Sequence, residues 1–98
     1  MRDLSDLTAD DFERCKGETF AVPDGDSEPT DLMLTVVSRL GQHRGHRDPF
    51  SLLFVGSPTP FLPQGLYHLD HPVMGELELF LVPIGADRDG VTYEAVFA

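Results

Sequence analysis

The sequence predicts an α+β, mainly β fold: a small twisted antiparallel sheet or open barrel of five to six strands with one N-terminal helix. Three observations predict it. Beyond Glu18, apolar residues recur at every second position, as in Phe50, Leu52 and Phe54 or Leu77, Leu79 and Leu81. Only one segment, Leu7 to Lys16, carries the boundary chemistry of a helix. The connections between strands are too short for parallel crossovers, so neighbouring strands pair antiparallel. With 98 residues, the chain holds one domain, 1–98, and one compact core.

The elements follow in order. In the helix, Thr8 is the expected N-cap, with Asp11 three residues later in capping-box position. Asp10 and Asp11 lie in the first turn, at the positive end of the helix dipole. Leu7 and Phe12 form a hydrophobic staple, and Gly17 supplies the left-handed stop. Glu18 to Val22 reads as a short strand, and Pro23 to Pro29 as a loop. The next strand places Leu32, Leu34, Val36 and Leu40 on one face and Met33, Thr35, Val37 and Arg39 on the other. Gly41 to Pro49 is a polar loop.

Phe50, Leu52 and Phe54 alternate with Ser51, Leu53 and Val55, a strand apolar on most of both faces. Pro58, Pro60 and Pro63 make the following segment an extended, stiff crossing. Gly65 to His71 then turns Tyr67 and Leu69 inward and His68 and Asp70 outward, and Pro72 to Gly75 is a turn. Glu76 to Pro83 carries Leu77, Leu79 and Leu81 on one face and Glu76, Glu78, Phe80 and Val82 on the other. Ala86 to Gly90 is a hairpin loop, with Gly90 at a left-handed bulge position. In the last strand Val91, Tyr93, Ala95 and Phe97 alternate with Thr92, Glu94 and Val96.

Charge restricts the partners. Seven basic side chains against 17 acidic ones give a formal charge of −10. No basic patch of that kind can neutralise a nucleic-acid backbone or an anionic membrane surface, so neither is an expected partner. The single cysteine, Cys15, forms no intrachain disulfide, which fits a reducing cytoplasm. The start of the chain lacks the pattern of a signal peptide, and the longest apolar run, Leu79 to Pro83, is far too short to span a bilayer. Charge is uneven along the chain: the first 31 residues hold most of the acids, whereas Arg39 to Arg47 holds three arginines and two histidines without an acid.

Catalytic and metal motifs are weak. His43 with His46, and His68 with His71, have His-x-x-His spacing. Strand positions three apart face opposite ways, however, so His68 and His71 do not share a metal, and all four read as surface or turn histidines. Asp24, Asp26 and Glu28 alternate like the start of a calcium loop but lack its remaining ligands and its glycine. Cys15 sits in the last helical turn, where the dipole disfavours a thiolate, and reads as a packed thiol. Glu76, Glu78 and Glu94 read as outer-face charges too sparsely housed for a glycosidase pair. No catalytic residue, cofactor or metal is therefore expected.

The informative feature is an apolar surplus. Leu53, Val55, Phe80, Val82 and Val96 exceed what one short helix can cover, and contiguous exposed apolar area marks an interaction site. These residues are the candidate partner-binding surface, for a protein partner or a homo-oligomer.

The run Gln64 to Pro72 (QGLYHLDHP), Gly75, Leu77 to Gly85 (LELFLVPIG), Gly90 and Tyr93 to Phe97 (YEAVF) resembles a family of small bacterial proteins classed as a domain of unknown function. The resemblance covers nearly the whole chain and is strongest from Phe50 to Phe97. It brings no catalytic residues. Some members are encoded near phage-tail-collar-like proteins, which implies an accessory role in a phage-tail-like or other protein assembly. In this motif Tyr67, Tyr93 and Phe97 are expected in the core, with Glu94 as its one polar residue in need of a partner. The expected function is a non-enzymatic protein-binding or assembly module. The alternative is a small β-barrel that binds a small molecule or acts as an enzyme through Arg44, His46, His68 and His71.

Overall fold

The computed structural model describes residues 4–23, 28–41 and 49–97. A turn of 3-10 helix (Leu4–Asp6) leads into helix α1 (Ala9–Glu13), followed by strands β1 (Thr19–Val22), β2 (Thr30–Arg39), β3 (Phe50–Gly56), β4 (Gly65–His71), β5 (Gly75–Asp87) and β6 (Gly90–Phe97). Every paired neighbour is antiparallel, and the order β1-β2-β3-β6-β5-β4 closes into a barrel. Closure is complete but narrow at one place: β1 meets β4 through the single pair Ala21 with Asp70.

The α-helix is shorter than Leu7 to Lys16. Its start follows the expected chemistry, with the Asp11 carboxylate accepting the Thr8 backbone N–H at 2.9 Å and the Thr8 hydroxyl at 3.2 Å. Its end is set by the sheet. The Gly17 N–H donates to the Leu34 carbonyl at 2.7 Å, and the Leu34 N–H donates to the Glu18 carbonyl at 3.1 Å. This pairing with β2 pulls Arg14 to Gly17 out of helical register, and Gly17 turns the chain at φ 87°.

Alternation fails in β2 for a local reason. Leu34 pairs with Phe54, yet Val36 pairs with Leu53, so Thr35 is an extra residue in a β-bulge. The extra residue exchanges the faces beyond it. Val36 and Leu40, expected on the same face as the buried Leu32 and Leu34, are exposed, and Val37, expected on the other face, packs on the core. A second bulge in β5 places Ile84 between Pro83, paired with Tyr93, and Gly85, paired with Thr92. A proline is tolerated there because the ladder is already interrupted. That bulge lets β5 run on to Asp87, and a two-residue turn, Arg88 and Asp89, joins it to β6. The Asp87 carboxylate accepts the N–H groups of Asp89 and Gly90 at 2.8 and 3.0 Å. Gly90 is not left-handed, as the hairpin reading expected. It must be glycine because a Cβ there would stand 2.7 Å from the Gly56 carbonyl oxygen.

Apolar side chains fill the barrel interior, among them Phe20, Leu34, Leu52, Phe54, Leu69, Leu77 and Tyr93. At one end α1 drives Phe12 against Phe50 and Phe97, with ring centroids 5.8 and 5.4 Å away, while Phe50 and Phe97 stack at 4.6 Å. Toward the other end Phe20 meets Phe54 edge-on, and the buried Leu62 N–H donates to the Tyr93 hydroxyl at 2.9 Å. Leu62 belongs to the proline-rich crossing, which passes the two intervening strands β6 and β5 to bring β3 to β4. Tyr67 lies at the edge of the core, half-buried, and its hydroxyl donates to the Pro63 carbonyl. Among the described residues, no helix is long and apolar enough to cross a membrane.

Candidate functional site: the outer wall of the barrel

The apolar surplus lies on the outer face of the barrel, from β2 through β3, β6 and β5 to β4. On the outer face, Met33 pairs with Val55 and Val36 with Leu53 across β2 and β3, and Leu66 pairs with Phe80 across β4 and β5. Glu94 stands between Leu53 and Val82, opposite both in the ladder. All five candidate partner-binding residues therefore face outward. Val55, Phe80 and Val96 are exposed, Val96 at 60% and Phe80 at 48%, while Leu53 and Val82 are half-buried. At the end of the wall nearest the 3-10 turn, Leu4, Leu66, Leu79, Phe80, Val96 and Phe97 help to line an open groove of about 230 Å³, with Glu78 at its rim.

Met33, Val36 and Leu66 belong to the same surface and were not among the candidates. Leu66 was within reach of the sequence, since counting outward from the Pro72–Gly75 turn pairs it with Phe80. Val36 was not, because its outward face depends on the Thr35 bulge. Glu94 corrects the core assignment: it is half-buried on the outer wall, so its partners are apolar neighbours and solvent.

The histidines separate. His68 faces outward on β4, beside Asp70 and Glu76. His71 is buried, 6% exposed, which corrects its reading as a surface or turn residue. Its Nδ1 accepts the N–H groups of Val73 and Met74 at 3.0 and 3.1 Å, so Nε2 carries the proton and donates to Glu18 Oε1 at 2.7 Å. The ring also packs on Phe20 at 4.6 Å. The β4–β5 turn is thus organised from inside by a histidine: the two-residue period that turns Tyr67 and Leu69 inward also carries position 71 to the inner face, while its bonds to the turn are seen only in the fold. His68 and His71 lie on opposite faces of β4, while Arg44 and His46, the other residues of the enzyme reading, lie outside the described residues.

Cys15 is buried close to this knot, its thiol directed at the Asp11 carbonyl at 3.8 Å. Burial, and then the nearby Glu18 carboxylate, push the thiol above its ordinary pKa, although Arg14 opposes them. Both nitrogens of His71 are engaged, so neither is placed to take a proton from it, and the arrangement does not make a nucleophile. Of the basic stretch, Arg39 is described and pairs with Asp10 on α1, an exposed contact between the basic and acidic parts of the chain. His43 and Arg47 lie outside the described residues, as do Asp24 and Asp26 of the acidic loop. Glu28 is exposed.

Comparison with curated proteins and with solved structures gives no match. The family comparison does: residues 7–97 match the model of a domain of unknown function, DUF6916. A match that runs from the residue before the helix cap to the last core phenylalanine takes in the whole barrel, and the chain belongs to this DUF6916 family.

Proposed function

We propose that the protein is a non-enzymatic protein-binding or assembly module that presents the outer wall of β3, β6 and β5 to another protein chain. The observation that carries this reading is the set of outward apolar side chains on these three strands, with Val55, Phe80 and Val96 exposed and Leu53 and Val82 half-buried, flanked by exposed Met33 and Val36 on β2 and Leu66 on β4. Each large apolar side chain moved from water into a contact contributes about 1.5–3 kcal/mol. A standard interface takes about 800 Å² from each partner, roughly one-seventh of the 5786 Å² surface of the described chain. One wall of a barrel this size supplies that. Glu78 lies beside this surface and Glu94 within it, and with the net charge of −10 they favour a partner whose own apolar patch carries Lys or Arg. An accessory subunit of a larger assembly, phage-tail-like or other, is the form this takes.

The test compares the wild-type chain with Phe80→Glu and Val96→Glu, each measured for native mass and for stoichiometric co-purification from the source cell. The expected outcome is an assembly that both variants dissolve while their unfolding midpoints stay near wild type, since both side chains are exposed. Assembly unchanged in both variants, or a wild-type chain that is monomeric and recovered alone, overturns the reading.

A further inference from the structure

The ladder between β4 and β5 pairs His68 with Glu78 and Asp70 with Glu76. Residues two apart on a strand share a face. One imidazole and three carboxyl groups therefore hold four adjacent positions on the outer wall. His68 Nε2 lies 3.3 Å from Asp70 Oδ1 and 3.6 Å from Glu76 Oε1, and the three donor atoms all lie within 4.8 Å of one another.

Three features of this cluster ask for a cation. The first is spacing. Around a tetrahedral zinc ion with bonds of about 2.1 Å, ligand atoms stand about 3.4 Å apart, and the two histidine–carboxylate separations bracket that value. The second is an orphan acceptor. Asp70 Oδ1 is closed off from solvent and accepts no hydrogen bond among the described residues, with the His68 ring nitrogen its near neighbour at 3.3 Å, although the side chain as a whole is 44% exposed. The third is charge. Asp70 and Glu76 are directly opposite each other, an arrangement that destabilises a sheet. Among the described residues neither is paired with Lys or Arg.

We propose that His68, Asp70 and Glu76 bind a divalent transition-metal ion, with zinc the best fit and Glu78 or water in the fourth position. An imidazole nitrogen beside carboxylate oxygens suits zinc, whereas calcium and magnesium prefer all-oxygen sites. The ion braces β4 to β5 and satisfies Asp70 Oδ1. The site adjoins the apolar surface at Glu78, but zinc binding does not rest on the protein-binding reading.

A second cluster, Cys15, Glu18 and His71, also brings its donor atoms within 4.8 Å, but it is already closed. His71 Nε2 and Glu18 Oε1 are 2.7 Å apart, a hydrogen bond rather than the edge of a coordination sphere. Two backbone N–H groups aim at Nδ1, so the proton stays on Nε2 and leaves it no lone pair for a metal. No N–H donates to the His68 ring among the described residues, so either tautomer is open to it.

The test titrates the tag-free full chain, stripped with chelator, with Zn²⁺ in a calorimeter and with Co²⁺ in a spectrometer. A single equivalent of zinc is expected to bind. Removing even an outer partner of a metal ligand weakens binding by about 10–100-fold, so Asp70→Asn and Glu76→Gln are each expected to lose at least that much. Cys15→Ser is expected to bind as wild type, and the Co²⁺ complex to lack a thiolate charge-transfer band. Glu76→Gln alters a largely exposed side chain and keeps the test open should Asp70→Asn fail to fold. Absence of zinc binding overturns the proposal. So does a thiolate band, which places the ion at Cys15, or full affinity in both carboxylate variants, which places it elsewhere, such as His43 and His46.

Discussion

At the scale of single residues, the polar groups inside this barrel matter through where their protons sit. Cys15 is buried beside Glu18, and both effects favour its neutral thiol over the thiolate. The unfolded chain ionises this thiol near the ordinary 9.0, while the folded chain holds the proton to higher pH. Between the two values the unfolded state gains by releasing a proton that the folded state keeps. The contribution is therefore intact below the unfolded pKa and is lost as pH rises through the folded one. Denaturant unfolding measured from pH 7 upward should show stability declining beyond about pH 9, and Cys15→Ala should decline less steeply over the same range. Equal slopes would mean that the folded thiol ionises as freely as the unfolded one. His71 shows why this scale was poorly legible. It closes a strand read as running from Gly65 to His71, just before the turn that begins at Pro72, and only the folded chain brings the Val73 and Met74 N–H groups onto Nδ1. The five outward apolar residues were legible because they needed only the two-residue period.

At the scale of elements, local chemistry set the strands and tertiary pairing set their interruptions. The inward sets Phe50, Leu52, Phe54 and Leu77, Leu79, Leu81 lie buried where alternation put them. The helix start was readable from Thr8 and Asp11, but its stop was decided by Leu34, which takes the Gly17 N–H into the sheet. The Thr35 bulge carries no composition signal of its own, and it reverses the second half of β2. This gives a sharp contrast. Strict alternation makes Val36 a core residue and Val37 a surface one, whereas the bulge makes Val36 39% exposed and packs Val37 on the core. Val37→Asp should cost about 2 kcal/mol or more, the usual result of burying a charge without a partner. Val36→Asp should stay within about 0.5 kcal/mol of wild type, as exposed substitutions do. Urea unfolding of the two variants decides it. The reverse order would remove the bulge.

At the scale of the whole molecule, the barrel is unevenly closed. β3 lies between two long ladders with β2 and β6, whereas β1 and β4 share one backbone pair. Side chains strengthen that seam: Glu18, just before β1, accepts a hydrogen bond from His71 at the end of β4, and Phe20 of β1 lies against the same imidazole ring. The buried His71 thus stands where the ladder is weakest, and Asp70 of the proposed metal site supplies the backbone pair beside it. A barrel built this way should open first between β1 and β4, as a local event cheaper than global unfolding. Replacing His71 by Leu removes the Glu18 bond and the ring nitrogen that accepts the Val73 and Met74 N–H groups. Losing hydrogen bonds of this kind costs about 0.5–1.5 kcal/mol each, and the loss should fall on the seam. In native-state hydrogen exchange, His71→Leu should lower protection at Phe20 to Val22 and Leu69 to His71 well before it lowers protection at Leu52 to Val55 and Tyr93 to Ala95. Equal loss across all four segments would show that the barrel opens as a single unit, and that His71 supports the core as a whole rather than its seam.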